Sequence, residues 1–226
     1  MDALQLVGAL ASLVVVNLVL SGDNALVIGL AAHRLPPRQR RLAIVLGGAG
    51  AVVLRVVLTV AAALLLLVPA LKLVGGVLLG WIAFRLLEQD EGAEAGAVGA
   101  CSIWDAMQTI VVADLIMSLD NVLAIGAAAH GNLLLLIFGL ALSMPLVLFA
   151  GGLFAELLNR FGWLVYVGAA VIAYTAGQMI AEDDLLAPYL QAVPGLDVAL
   201  PLAVVLLVLP AAHWCHRRRP AHTHSA

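Results

Sequence analysis

The sequence predicts an all-α membrane protein: seven transmembrane helices arranged as an inverted 3+3 helix repeat, with one C-terminal helix added. Three observations carry this expectation. Of 226 residues, 64% are hydrophobic and 11% charged, with a mean hydropathy of +1.10. A water-soluble chain of this length could not hide so much apolar surface, because its core is limited by surface-to-volume scaling. Seven apolar runs reach membrane-spanning length, and one stretch of 17 residues recurs ninety-seven positions later.

That stretch is Asn17 to His33, repeated without a gap as Asp114 to His130. The identical pairs include Leu18/Leu115, Ser21/Ser118, Asp23/Asp120, Asn24/Asn121, Leu26/Leu123, Gly29/Gly126, Ala31/Ala128, Ala32/Ala129 and His33/His130. Each copy places a carboxylate inside an apolar run. A charge at that depth costs roughly 2.5 to 3.5 kcal/mol on the lenient insertion scale, so an ionisable residue there marks a functional site.

The runs fall at about residues 4–32, 42–68, 71–87, 103–129, 132–155, 163–181 and 198–214. The first covers 29 residues, or roughly 43 Å of helix against a hydrocarbon core of roughly 30 Å, so it must tilt or break. Ser21-Gly22-Asp23-Asn24 supplies the break, since glycine tolerates unusual dihedrals and the polar residues compete for backbone groups. In the second copy Leu119 replaces Gly22, and the break signal is weaker. Pro36-Pro37 makes a turn, Pro69 a joint, and the acidic, Gly/Ala-rich stretch from Glu88 to Ala100 a solvated linker. The resulting organisation is a first repeat over 1–88, a linker over 89–100, a second repeat over 101–183, and a seventh helix with a basic tail over 184–226.

The repeat continues past the opening motif: Val74 to Asp90 matches Val167 to Asp183 at a spacing of ninety-three, setting Trp81 against Tyr174. Helices one to three therefore match helices four to six. Because three is odd, the second set enters the membrane from the other side, as in secondary transporters whose sites lie near the midplane between halves.

Basic residues fix the expected sidedness, since Lys and Arg stay in cytoplasmic loops. With the N-terminus outside, Arg34, Arg38, Arg40, Arg41, Arg85, Arg160, Arg217, Arg218 and Arg219 all fall inside. Only Lys72 falls outside, Arg55 lies within helix two, and the C-terminus is cytoplasmic. The start Met-Asp has no basic region before the first apolar run and does not read as a cleaved signal. The tail from His213 to His224 reads as a solvated anchor, and Cys101 and Cys215 as two separate thiols.

On helices, Asn17, Ser21 and Asn24 share a face, as do Asp114, Ser118 and Asn121, with Asp23 and Asp120 at the edges. Brought together by the repeat, they offer three carboxylates, three amides and two hydroxyls. Every donor is oxygen. Such a set suits Mg²⁺, Ca²⁺ or Mn²⁺ and lacks the thiolates and imidazoles expected for zinc or copper. Met117 reads as core, and His33 and His130 as interfacial residues with an entrance or proton-relay role as the alternative. Ionised Asp23, Asp114 and Asp120 with Arg55 carry a net −2, which a dication would neutralise. Arg55 is either a structural partner of one aspartate or a participant in the cycle. An emptied site needs protons or Arg55 as compensation, which motivates proton coupling.

The paired motifs Ser21-Gly22-Asp23-Asn24 and Ser118-Leu119-Asp120-Asn121, with Asp114 six residues before the second aspartate, resemble the TerC family, in its YjbE-like branch within the lysine-exporter superfamily. The resemblance covers about residues 3–183. It implies a 3+3 helix core in the bacterial cytoplasmic (inner) membrane, manganese export, and metal ligands at Asp23, Asp114 and Asp120 with the neighbouring asparagines. Other branches carry a glutamate six residues before the first motif aspartate, where this chain has Asn17.

The expected partners are thus a divalent cation as cargo and the lipid bilayer, with no nucleic acid, no resident cofactor and no catalytic residue. Export of an amino acid or other small solute is the second reading, poorly served by several carboxylates and one buried arginine. An intramembrane aspartyl protease is the third. It would show a Tyr-Asp pair and a G-x-G-D motif, and neither is present.

Overall fold

The computed structural model describes residues 21–60, 70–94, 102–128, 133–191, 193 and 195–218, with side chains left out at 59–60, 91–94, 119–128, 133–142, 191 and 216–218. The helices are α1 (Gly22–Ala32), α2 (Pro37–Val60), α3 (Leu71–Glu94), α4 (Ile103–Ala128), α5 (Leu133–Arg160), α6 (Trp163–Ala181), the short α7 (Ala187–Gln191) and α8 (Leu196–Arg218). No strand occurs among the described residues. Three helices there are long and apolar enough to cross a membrane, over Pro37–Leu58, Trp163–Ala181 and Leu196–Cys215, and Gly22–Ala32 is a shorter apolar helix.

The burial pattern is that of a protein solvated by lipid. Leu206 and Leu207 are 73% and 70% exposed, whereas Arg55 is 2% and Asp114 5% exposed. Water would favour the reverse; a bilayer tolerates apolar surface and forces charge inward. Trp104, Trp163 and Trp214 are exposed towards helix ends, where amphipathic rings suit the interface.

Two helix boundaries bear on the sequence reading. Gly22 opens α1, with Ser21 at its N-cap in a non-helical conformation (φ −108°, ψ 13°). A helix end therefore stands where the break was expected, and residues 1–20 lie outside the described part. In the second copy α4 runs unbroken through Leu119, as the loss of the glycine suggests. The expected linker is shorter than 89–100, because α3 continues to Glu94. The reason is tertiary: Asp90 is pinned by His33 and Arg34, which holds the last turns in place. At the Pro69 joint, Ala70 adopts φ 60° and turns the chain into α3.

Among the six helices α1 to α6, the principal contacts are α1 with α5, α2 with α4, α3 with α6, and α1 with α4. Exchanging α1 for α4, α2 for α5 and α3 for α6 leaves this set unchanged. Glycines permit the closest approaches. A Cβ on Gly29 would stand 2.6 Å from the Phe154 Cβ, and one on Gly151 2.5 Å from the Ile28 Cγ2. α8 packs outside, against α6 and α3.

Candidate metal site in the membrane

Asp23 stands in the first turn of α1. Among the described residues it is the one ionisable group lining a cavity of about 230 Å³, whose other walls are Leu26, Phe154, Leu157, Leu158, Leu164, Val167 and Val171 with Gly22 and Gly168. Its Oδ1 accepts the Asn24 backbone N–H at 2.9 Å. α1 also packs against α4, the helix that carries Asp114.

Asn24 is 2% exposed, and among the described residues neither its amide nitrogen nor its amide oxygen has a hydrogen-bond partner. Leaving one buried polar atom unpaired costs about 1 to 3 kcal/mol, and native proteins leave few such groups without a reason. An amide carbonyl beside a carboxylate is a ready pair of oxygen donors. Ser21, 1% exposed, sits one residue before the helix and does not use its side chain to cap it.

Asp114 is differently placed. The Arg55 guanidinium donates to both carboxylate oxygens, with Nε 3.3 Å from Oδ2 and Nη2 on Oδ1. The Ser118 hydroxyl donates to the Asp114 carbonyl and approaches its Oδ2 at 3.3 Å. Buried charge is tolerable only when paired and hydrogen-bonded, and this arrangement meets both conditions. Among the described residues, Arg55 pairs with Asp114 in this conformation. Met117 is buried in the core as expected.

The helix that carries Ser21, Asp23 and Asn24, α1, packs on the helix that carries Asp114 and Ser118, α4, and Arg55 of α2 pairs with Asp114. Asn17 lies outside the described residues, as do the side chains of Asp120 and Asn121. Among the described residues no three His, Cys, Asp or Glu side chains form a group that could hold a metal ion.

Sequence reasoning did not anticipate the polar knot at one end of the bundle. His33 is buried, its Nδ1 2.7 Å from the Leu30 carbonyl and its Nε2 3.0 Å from Asp90 Oδ1. Arg34 Nε also donates to that oxygen, at 2.8 Å. Asn159 and Arg40 donate to the His33 carbonyl at 2.6 and 2.8 Å. The knot joins the ends of α1, α3 and α5 to the start of α2. The available signal was the pairing of Asp90 with Asp183 in the repeat.

Asp90 lies beyond the apolar span of α3. Burial would raise its carboxyl, but the His33 hydrogen bond and the Arg34 guanidinium outweigh burial and hold it below the ordinary value of 3.8. A lowered folded value means that the stabilisation is complete above the ordinary carboxylate range and is lost as pH falls through the folded value. Thermal unfolding in detergent, followed from about pH 7 to about pH 3, should show this acid-side loss in the wild type. The component should be missing in Asp90→Asn.

Comparison with known proteins places these residues in a family. The chain matches the model of the integral membrane protein TerC family over residues 3–220. It is 38% identical over 204 residues to the uncharacterized membrane protein YjbE of Bacillus subtilis (strain 168), covering 90% of this chain and 93% of that protein. To the uncharacterized membrane protein YceF of the same organism it is 28% identical over 142 residues, 59% of this chain and 55% of that one. No solved structure matches significantly. With the family model spanning nearly its whole length, this chain belongs to the TerC family of integral membrane proteins.

Proposed function

We propose that this protein is a secondary transporter that exports a divalent cation, foremost Mn²⁺, by alternating access between its two three-helix halves. The observation that carries the reading is the buried, unpartnered Asn24 amide beside Asp23. A hard cation would satisfy the amide oxygen and the carboxylate at once. Asp120 and Asn121, at the matching positions of the second copy, complete an oxygen set with Asn17, Ser21, Asp114 and Ser118. The exchange symmetry of the helix contacts supports the inverted repeat, and the all-oxygen chemistry supports Mn²⁺, Ca²⁺ or Mg²⁺ over zinc and copper.

Arg55 serves as the counter-ion of the metal-free site. When a dication arrives, Arg55 no longer needs to neutralise Asp114, and that carboxylate becomes free to ligate. When the ion leaves, Arg55 returns, or a proton takes its place. The repeat and the basic loops support a seven-helix topology in the bacterial cytoplasmic membrane, with the N-terminus outside and the C-terminus inside.

Uptake of a panel of dications into proteoliposomes tests the reading. The wild type should carry Mn²⁺ saturably, with flux responding to an imposed pH gradient. Asp23→Asn and Asp120→Asn should each reduce Mn²⁺ flux by at least tenfold, about 1.4 kcal/mol in the rate-limiting step. Wild-type flux in both variants would remove the proposed ligands.

A further inference from the structure

α3 and α4 are consecutive in the chain, come from different copies of the repeat, and pack on one another. Between them lies a cavity of about 200 Å³ that shares no lining residue with the Asp23 cavity. Leu78, Trp81, Ile82, Arg85 and Gln89 form its α3 wall, and Asp105, Gln108, Thr109 and Val112 its α4 wall. Each set recurs at three- and four-residue spacing, so each is one face of its helix. Both walls change character in the same order. Arg85 and Gln89 lie nearer the end of α3 that leads to α4, and Asp105 and Gln108 nearer the start of α4. Leu78, Trp81 and Val112 lie further in along their helices and are exposed. The Gln89 carbonyl accepts from Arg34 at 3.0 Å, which ties this end of the groove to the polar knot.

The polar end carries one charge of each sign, Arg85 on the α3 wall and Asp105 on the α4 wall. Among the described residues neither side chain forms an ion pair or a hydrogen bond with another group. Residues 95–101, which join the two helices, carry no charge in sequence and supply no counter-ion. At about 30 Å³ per water-sized group the cavity takes several such groups, more than a single ion needs. An arginine near a membrane surface is ordinarily a solvated anchor, and an aspartate in a first helical turn is favoured by the helix dipole. Neither reason accounts for Gln108 and Thr109 on the same wall, or for the apolar surface that continues the groove inward.

We propose that this groove holds the head group of a phosphatidylethanolamine molecule from the surrounding leaflet. Arg85 donates to the phosphate, whose oxygens suit a planar guanidinium. The primary ammonium, with three N–H donors like that of lysine, turns to the Asp105 carboxylate, the Gln108 amide oxygen and the Thr109 hydroxyl. An acyl chain follows Leu78, Trp81 and Val112, where apolar surface already faces lipid. The two walls together are neutral, as the zwitterion is. Phosphatidylglycerol would bring a phosphate without an ammonium and set an anion beside Asp105. Phosphatidylcholine carries the same charges but no N–H, which leaves the α4 acceptors unsatisfied. Pockets with basic residues between transmembrane helices are places where head groups are recognised, and with the topology given above the leaflet is the cytoplasmic one. Because the lipid touches one helix of each half, it braces the contact between α3 and α4. The site rests on the membrane character of the chain and is independent of the cargo.

The test uses the full chain, purified in detergent and stripped of lipid. It would be titrated with phosphatidylethanolamine, phosphatidylcholine, phosphatidylglycerol and soluble phosphoethanolamine, and followed by thermal unfolding and native mass spectrometry. A lipid held only by the folded protein raises Tm by about 5 to 10 °C when present at about a hundred times its Kd. Phosphatidylethanolamine is expected to give that shift and to be retained about tenfold more strongly than the other two lipids, the effect of one charge-assisted contact. Phosphoethanolamine at the same concentration should give none. Arg85 is exposed and Asp105 half-buried, so the lipid-free Tm of their variants should stay near that of the wild type. Arg85→Gln should abolish the tight retention of phosphatidylethanolamine, Asp105→Asn should reduce it to the level of phosphatidylcholine, and Asp105→Lys should move the preference to phosphatidylglycerol. Equal retention of the three lipids by the wild type, a wild-type preference for phosphatidylglycerol, or an ethanolamine preference unchanged in either Arg85→Gln or Asp105→Asn overturns the proposal. An equal shift from phosphoethanolamine overturns the lipid as occupant and assigns the groove to soluble phosphoesters.

Discussion

Asp114→Asn is expected to destabilise the protein by about 3 to 5 kcal/mol, because it removes the carboxylate charge that pairs with the buried Arg55 guanidinium. For a chain of this length that is a fall in Tm of roughly 6 to 20 °C. Arg55→Gln should cost a similar amount by removing the guanidinium from the buried Asp114, which among the described residues keeps the Ser118 hydroxyl. The double variant Arg55→Met with Asp114→Leu removes both charges and fills similar volume. It should unfold near the wild-type temperature or above it, since apolar replacements of buried ion pairs are often neutral or stabilising by about 1 to 4 kcal/mol. Mn²⁺ flux separates stability from function: the double variant should be stable and inactive. A stable double variant that still transports would leave Asp114 as a structural group and remove it from the metal site. The double-mutant cycle is the appropriate measurement, because the two side chains are in contact and their separate effects cannot add.

The second large effect is steric. Gly29→Val should destabilise the protein by about 1 to 3 kcal/mol or more, the usual cost of overpacking a dense contact. The added Cβ would lie 2.6 Å from the Phe154 Cβ and 3.1 Å from the Ala155 backbone nitrogen. A flexible side-chain tip could move away, but a Cβ and a backbone atom cannot move without the helix. Gly151→Ala meets the reciprocal obstacle, Ile28 Cγ2 at 2.5 Å and the Ala25 carbonyl at 3.3 Å. Because both substitutions wedge the same α1/α5 crossing, the double variant should cost less than their total. Gly22→Ala is the control. Among the described residues nothing stands within 4 Å of its Cβ, so thermal stability should change by less than about 0.5 kcal/mol.

Much of this architecture was legible in the chain. Membrane character followed from the apolar content, since no water-soluble packing could bury it. The helix runs beginning near 71, 103, 132, 163 and 198 correspond to α3, α4, α5, α6 and α8, because each is an uninterrupted apolar stretch bounded by polar or turn residues. Asp23 and Asp114 stood out for a reason independent of folding: a carboxylate in an apolar run is costly wherever the helix lies. The repeat showed which positions correspond, and through Asp90 and Asp183 it named a pair whose purpose it left open.

Only the tertiary structure decided who touches whom. Periodicity shows that Arg55 lies on α2 and Asp114 on α4, but pairing them requires the packing of two helices separated by fifty-nine positions. The same holds for His33, which reads as an interfacial residue in sequence and is a buried bridge between α1 and α3. The extension of α3 to Glu94 reflects that bridge, since local composition alone favours a solvated linker there. The unpartnered Asn24 amide is a property of its surroundings, and no sequence can list a neighbour that is missing. Local residue chemistry marked where the apolar helices run and the charge they carry. The assignment of each buried charge to a partner, or to none, came from packing, because it depends on distances across helices that the order of residues along one chain does not encode.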